Sequence, residues 1–259
     1  MQPKPINSKN YGSIPHLTGS RTGYMDRTCH PGQVAICTEK ARDKHDTIYV
    51  QEKLDGANVG CIRLNGAIVP VTRRGWPAAS SSFVQHNLFA EWVNWNQDRF
   101  FDVLNEGERL VGEWLILAHG TRYDLKHEPF VAFDIMRGQE RLPVRDFIPR
   151  VACGCFATPT LLHFGDPISI QYAMDILGTY GHHGAIDPVE GAVWRVERDY
   201  TKNGIVTRKV DFLAKYVKPG KVDGRYLKCE EPVWNKWPET DGYQIDTNRK
   251  PLMNERVVR

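Results

Sequence analysis

Several charged residues in this sequence end or interrupt apolar runs, and those are the positions where chemistry is most easily placed. Tyr49-Val50-Gln51-Glu52-Lys53-Leu54-Asp55-Gly56 passes from an extended apolar stretch into a lysine, an aspartate and a glycine. Glu113 lies inside the run from Leu110 to Leu117, and Asp134 inside the run from Pro129 to Met136. A charge in such a run is costly to bury unless it is paired or used. Glu190-Gly191 leads a third apolar run, Ala192-Val193-Trp194-Arg195-Val196, and lysines follow at Lys209, Lys215 and Lys218. Lys53 is then either a solvated surface cation or a positioned amine, and an amine is a nucleophile once neutral.

The elements that would position these residues are mostly short strands. Ala57 to Leu64 and Ala67 to Val71 flank Asn65-Gly66, a pair suited to a tight hairpin turn, so Lys53 stands just before a hairpin and is held by a sheet. The runs around Glu113 and Asp134 read as strands, as does the one led by Glu190-Gly191, with a turn at Asn203-Gly204. Val34-Ala35-Ile36-Cys37 reads as a further short strand, followed by a charged surface loop from Glu39 to Asp46. Ser80-Ser81-Ser82 can cap a helix through Phe83, Leu88, Trp92 and Trp95. That aromatic series suits the packed face of an amphipathic helix, and a base-stacking platform is the other reading. Asp166-Pro167 offers a cap and first-turn proline for a helix from Ile168 to Leu177, ending near Gly178. Tyr180 to Gly184 reads as a surface turn carrying His182 and His183. Many strands and few helices argue for an α+β fold rather than a doubly wound parallel sheet.

Composition narrows the class. The 259 residues carry 25% charged and 41% hydrophobic side chains, the mixture of a soluble globular protein. A formal net charge of +3 does not by itself announce a nucleic-acid binder. The charge is concentrated locally, however, because residues 201–230 hold eight Lys or Arg against three Asp or Glu. No apolar run approaches a membrane span, and Met1 to Ser20 lacks the apolar segment of a signal peptide. Six dispersed cysteines then read as free thiols in a reducing, cytoplasmic setting. Neither Cys29 with His30 and Cys37, nor Cys153 with Cys155, has the spacing of a four-ligand zinc site.

Taken in order, these pieces resemble the motif series of the covalent nucleotidyltransferases: ATP-dependent DNA ligases, RNA ligases and mRNA capping enzymes. Lys53-Leu54-Asp55-Gly56 looks like the first motif, and Thr72-Arg73-Arg74-Gly75 resembles the arginine motif after the first hairpin. Gly112-Glu113-Trp114, Phe130 to Ile135 and Glu190-Gly191-Ala192-Val193 are similar to the next three. Lys209, or the pair Lys215 and Lys218, would close the set. The resemblance spans about residues 49–218. Gly-Glu-Trp, Ala-Phe-Asp-Ile and the intervening His119 to Asp124 lean toward RNA ligases of bacterial or phage type.

The resemblance implies an α+β, antiparallel-sheet nucleotidyltransferase core of the ligase type (ATP-grasp-like), without a full C-terminal OB domain. Residues 1–230 would form the adenylyltransferase domain with a short N-terminal extension, and 231–259 a short C-terminal extension packed on it. Lys53 would carry AMP. Arg73 and Lys215, with Lys218 or Lys209, would offset phosphate charge. Phe133 would stack on adenine, Glu113 would hold the ribose or a metal, and Glu190 would bind Mg2+, with Mn2+ as substitute. Glu52, Asp55 and Gly56 complete the nucleotide-binding set. The implied reaction uses ATP to join a 3′-hydroxyl to a 5′-phosphate through lysyl-AMP and an adenylylated 5′ end. RNA, or a nicked duplex, is the partner, together with an end-healing kinase or phosphatase; the chain is expected to act as a monomer, away from membranes. Sealing of DNA nicks and a non-catalytic nucleic-acid-binding module are the other two readings.

Overall fold

A computed structural model of the protein describes residues 4–238. Two turns anticipated from Asn-Gly pairs close hairpins in it. Asn65 and Gly66 take φ values of 52° and 75°, the positive pair a two-residue hairpin turn demands. They join β2 (Ala57–Leu64) to β3 (Ala67–Thr72), after β1 (Asp46–Lys53). The chain continues through β4 (Glu108–Trp114), β5 (Phe130–Arg137), the two-residue β6 (Glu140–Arg141) and β7 (Leu161–Gly165). Asn203-Gly204 then joins β8 (Gly191–Lys202) to β9 (Ile205–Val217).

These strands form two antiparallel sheets, ordered β7-β1-β8-β9 and β3-β2-β4-β5-β6. The fold is α+β. The first sheet packs on α1 (Pro31–Thr38) and α5 (Ile170–Leu177), burying Cys37, Ile48, Val50, Ala173, Leu177 and Trp194. The second packs on α2 (Val84–Trp95), α3 (Gln97–Val103) and α4 (Val144–Cys153) around Phe89, Trp92, Phe100, Trp114 and Phe130. Core packing is therefore the role of Leu88 and Trp92, whereas Phe83 and Trp95 are exposed. No helix among the described residues is long and apolar enough to cross a membrane.

Four local expectations need correction. Val34 to Cys37 is helical, because His30 caps the segment: its side chain accepts from Gly32 N–H, Gln33 reaches back to its N–H, and Pro31 occupies the first turn. Four apolar residues carry too little periodicity to separate helix from strand. The cap of α5 is Ser169, whose hydroxyl accepts from Tyr172 N–H at 3.1 Å, rather than Asp166. The serines before α2 do not cap it; Phe83 holds the cap position without a side-chain bond, and Ser81 instead accepts from Phe83 N–H at 3.2 Å. His183 is buried rather than on a surface turn, accepting from Thr160 N–H at 3.1 Å and sharing a 2.8 Å hydrogen bond with His127.

The run from Leu110 leaves the sheet at Trp114, but Leu115 to Leu117 stay buried, and Leu117 bridges Trp234. Trp234 and Trp237 pack against the larger core, as their anchoring role requires. The basic tail reaching Arg259 lies outside the described residues.

The two sheets meet along a seam of Tyr11, Val111, Met136 and Leu213, with Phe133 and Val193 beside them. Asp134, on β5, is fully buried there. It accepts from Arg195 of β8, from Tyr11 at 2.7 Å and from Arg141 at 3.2 Å. Asp134 is thus the charge that its apolar run required to be paired, and the pairing joins one sheet to the other.

Candidate active site

Lys53 is the last residue of β1, and Ala57 is the first of β2. Those strands belong to different sheets. The four residues Lys53-Leu54-Asp55-Gly56 are consequently the crossing between the sheets, at the head of the cleft they enclose. Gly56 suits that crossing because a Cβ there would lie 2.6 Å from the Trp114 carbonyl oxygen and 2.8 Å from Leu115 Cδ2. Lys53 pairs with Gly191 across the sheet, which brings Glu190 alongside.

The Lys53 Nζ lies 2.6 Å from Glu190 Oε2. Glu113, on β4, accepts from Gly56 N–H at 3.1 Å. Asp55 accepts from Gly120 N–H at 3.1 Å and from Lys221 Nζ at 3.1 Å. Burial opposes the charge on Lys53, but Glu190, Glu113 and Asp55 outweigh it and hold the ammonium above its usual range. Burial pushes Glu113 up to about 7, against the pull of Lys53 and with added repulsion from Glu190. Glu190 is also raised by burial, with Lys53 opposing. The centre is therefore an ammonium among an excess of buried carboxyl groups, an arrangement that a further cation would stabilise.

A cavity of about 1230 Å³ opens from this centre, ample for a nucleotide. Lys53, Asp55, Gly56, Arg73, Glu113, Phe133, Glu190 and Lys215 all line it. Arg73 sits in the turn after β3, its guanidinium 3.4 Å from Ser13 Oγ. Phe133 is half-buried at the seam, edge-on to Tyr11 with centroids 5.1 Å apart. Lys215, on β9 opposite Val193, is lowered by burial and by the nearby charge of Lys53. Among the described residues Lys215 has no ion-pair partner.

Three expected members stand apart. Glu52 borders the cavity, but its buried carboxylate accepts from His182 N–H at 2.9 Å. Adjacent strand residues point to opposite faces, so Glu52 and Lys53 cannot share one. Lys218 donates to the Gly178 carbonyl at 2.7 Å and does not line the cavity. Lys209 lies six residues before Lys215 on β9, roughly 20 Å along the strand, with Nζ 3.9 Å from Glu140. Of the candidate late lysines, Lys215 alone borders the cavity.

Lys221 is a residue that sequence reasoning treated only as part of a basic stretch. It is buried, and besides Asp55 it bonds Thr121 Oγ1 and the Pro188 carbonyl. A lysine after Pro219-Gly220 looks like a surface residue in sequence; only its distant partners reveal it. Asn58, also on the wall, has a buried Oδ1 with no hydrogen-bond partner among the described residues.

The RNA ligase family model matches residues 46–217, from the first residue of β1 to the last of β9. The chain belongs to the RNA ligase family. Solved structures with a similar fold include an archaeal ATP-dependent RNA ligase, 17% identical over 67% of this chain and 43% of that one, with a TM-score of 0.40. A Naegleria gruberi RNA ligase variant without ligand is 15% identical over 78% of this chain and 58% of that one, with a TM-score of 0.49. A variant of the Naegleria enzyme with ATP and Mn is 16% identical over 83% and 61%, with a TM-score of 0.46. The chain thus spans about half the length of these structures. A search of curated proteins returned no match. At these identities and TM-scores, membership of the RNA ligase family rests on the sequence match across residues 46–217.

In this RNA ligase family member, Glu190→Gln should lower the Lys53 pKa, because it removes the nearest carboxylate that holds the ammonium charged. The sign follows from the pairing. A lysine held above its unfolded value contributes stability below that value and loses it as pH rises through the folded value. Removing the carboxylate should therefore let Lys53 react with an amine-directed reagent at lower pH. Identical pH dependence in the two proteins would show that Glu190 does not hold the proton.

Proposed function

We propose that this chain is an ATP-dependent RNA ligase whose Lys53 becomes covalently adenylylated. The observation carrying the proposal is the Lys53–Glu190 contact of 2.6 Å at the head of a cavity bordered by Arg73, Lys215 and Phe133. An amine at one end, cations along a wall and an aromatic ring together match a bound nucleotide triphosphate.

In the first step, neutral Lys53 Nζ attacks the α-phosphorus of ATP. A P–N bond forms, the P–O bond to the β-phosphate breaks, and pyrophosphate leaves. Glu190 is the nearest acceptor for the proton that the amine gives up. Arg73 and Lys215 offset charge that grows on the phosphate oxygens, where positioned cations act most strongly. Burial lowers Lys215, and its own charge in turn disfavours protonation of Lys53. AMP then passes to a 5′-phosphate, and attack by a 3′-hydroxyl on that phosphate seals the strand and releases AMP. Where breakage leaves a 5′-hydroxyl or a phosphorylated 3′ end, a kinase or phosphatase would prepare it.

Glu190 and Glu113 are the residues that would hold Mg2+ or Mn2+, since burial raises both carboxyl groups and the single Lys53 ammonium is the cation that opposes it at each. Among the described residues no three His, Cys, Asp or Glu side chains form a ready ligand group. Mg2+ is held in such enzymes by one or two carboxylates together with phosphates and water. The cation would supply charge neutralisation at the phosphates. The same proposal divides the chain into an adenylyltransferase domain, 1–230, and an extension, 231–259.

Phe133→Ala should raise the half-saturating ATP concentration roughly 5- to 100-fold, the range for loss of one base-aromatic stack. The initial rate of adenylylation against ATP concentration reads this directly, and an unchanged half-saturating concentration would remove Phe133 from the adenine site. Substrate class is tested on nicked duplexes with RNA or DNA on the 3′-hydroxyl side. An RNA requirement supports RNA ligation through contact with the 2′-hydroxyl; equal or better sealing of DNA would favour DNA nick repair instead.

A further inference from the structure

The rim of the cleft between β3 and α2 carries two large aromatic side chains that the core does not absorb. Trp76 is 40% exposed and Phe83 48% exposed, and both line the cavity mouth. The neighbouring aromatics of α2, Phe89 and Trp92, are buried. Around the rim rings the charge is positive. Arg73 and Arg74 line the same rim, and Lys4 Nζ lies 5.4 Å over the Trp76 ring. None of these three cations has an ion pair among the described residues. The acidic groups of the site, Asp55, Glu113 and Glu190, lie inward at the Lys53 crossing, so the cavity is acidic at its head and basic at this rim.

Resting on the ligase reading above, we infer that Trp76 and Phe83 are a stacking platform for unpaired bases at the end of the RNA being joined. Aromatic faces accept any base, and with Arg73 assigned to ATP the unpaired Arg74 and Lys4 beside the rings suit the phosphates that link those bases. An apolar protein partner would leave those cations without counter-charge. Duplex bases are already stacked on their neighbours, so the platform favours a single-stranded end.

The test measures binding of a fluorescent, 5′-phosphorylated single-stranded oligoribonucleotide and of a blunt RNA duplex, alongside adenylylation with labelled ATP. Trp76→Ala and Phe83→Ala should each weaken single-strand binding about 5- to 100-fold. Trp76→Tyr should restore most of it, duplex binding should change little, and adenylylation should match the parent protein. Undiminished single-strand binding in both alanine variants would overturn the inference, as would an equal loss on the duplex. Loss of adenylylation in these variants would also overturn it, by placing the rings in the ATP site. Should the parent protein itself fail to adenylylate, the ligase reading falls, while the binding comparison still decides the platform.

Discussion

Lys53→Arg is expected to form no covalent nucleotide adduct while folding normally. Arginine keeps the positive charge and can keep the contact with Glu190, which lies 2.6 Å from the Lys53 amine. A guanidinium stays protonated throughout the accessible pH range, so it offers no free electron pair to the α-phosphorus. The substitution therefore separates charge from nucleophilicity, which an alanine would remove together. The Lys53 side chain is 22% exposed, leaving room for the larger head group. Gel analysis after incubation with labelled ATP, beside a thermal melt, checks both halves. A labelled band in the arginine variant would transfer the nucleophile to another residue.

Asp134→Ala should destabilise the fold by about 3–5 kcal/mol, the range for breaking a buried ion pair by removing one partner. Arg195 is buried against Asp134, and its guanidinium would keep only carbonyl acceptors at Phe133 and Leu142. Tyr11 and Arg141 would lose the same carboxylate. Because Arg195 stands on one sheet and Asp134 on the other, the loss falls on the seam that forms the cleft. Burial followed by the charge of Asp134 holds the Tyr11 hydroxyl protonated far above its usual range, so the tyrosine is a firm donor to that carboxylate. Asp134→Asn should cost less, because it retains an acceptor oxygen. Urea denaturation gives the comparison; an unchanged midpoint for Asp134→Ala would mean that water replaces the carboxylate at little cost.

Much of the candidate site's lining was legible because its residues sit in strands with strong local signals. Lys53, Glu113, Phe133 and Glu190 each lie in or beside an apolar run, and the Asn-Gly turn set the first hairpin. Sheet membership was not legible. Nothing in Lys53 to Gly56 says that the chain there leaves one sheet for another, since that depends on β1 pairing with β8, more than a hundred residues later. Glu52 was expected in the nucleotide-binding set although strand alternation turns it away from Lys53. Which of Lys209, Lys215 and Lys218 borders the cavity turned on where β9 runs past the cleft, again a matter of distant pairing. Lys221 was hidden for the same reason, its partners being Asp55 and Thr121. At α1 the difficulty is local: a histidine cap and four apolar residues carry a weak helix signal.

Peptide mass spectrometry after incubation with ATP and Mg2+ tests the Lys53 assignment most directly. The expected product is a single peptide containing Lys53 with AMP attached, stable to alkali and released by acid as a phosphoramidate should be. An unmodified Lys53, with no adduct under Mg2+ or Mn2+ or with AMP on Lys215 instead, would contradict it.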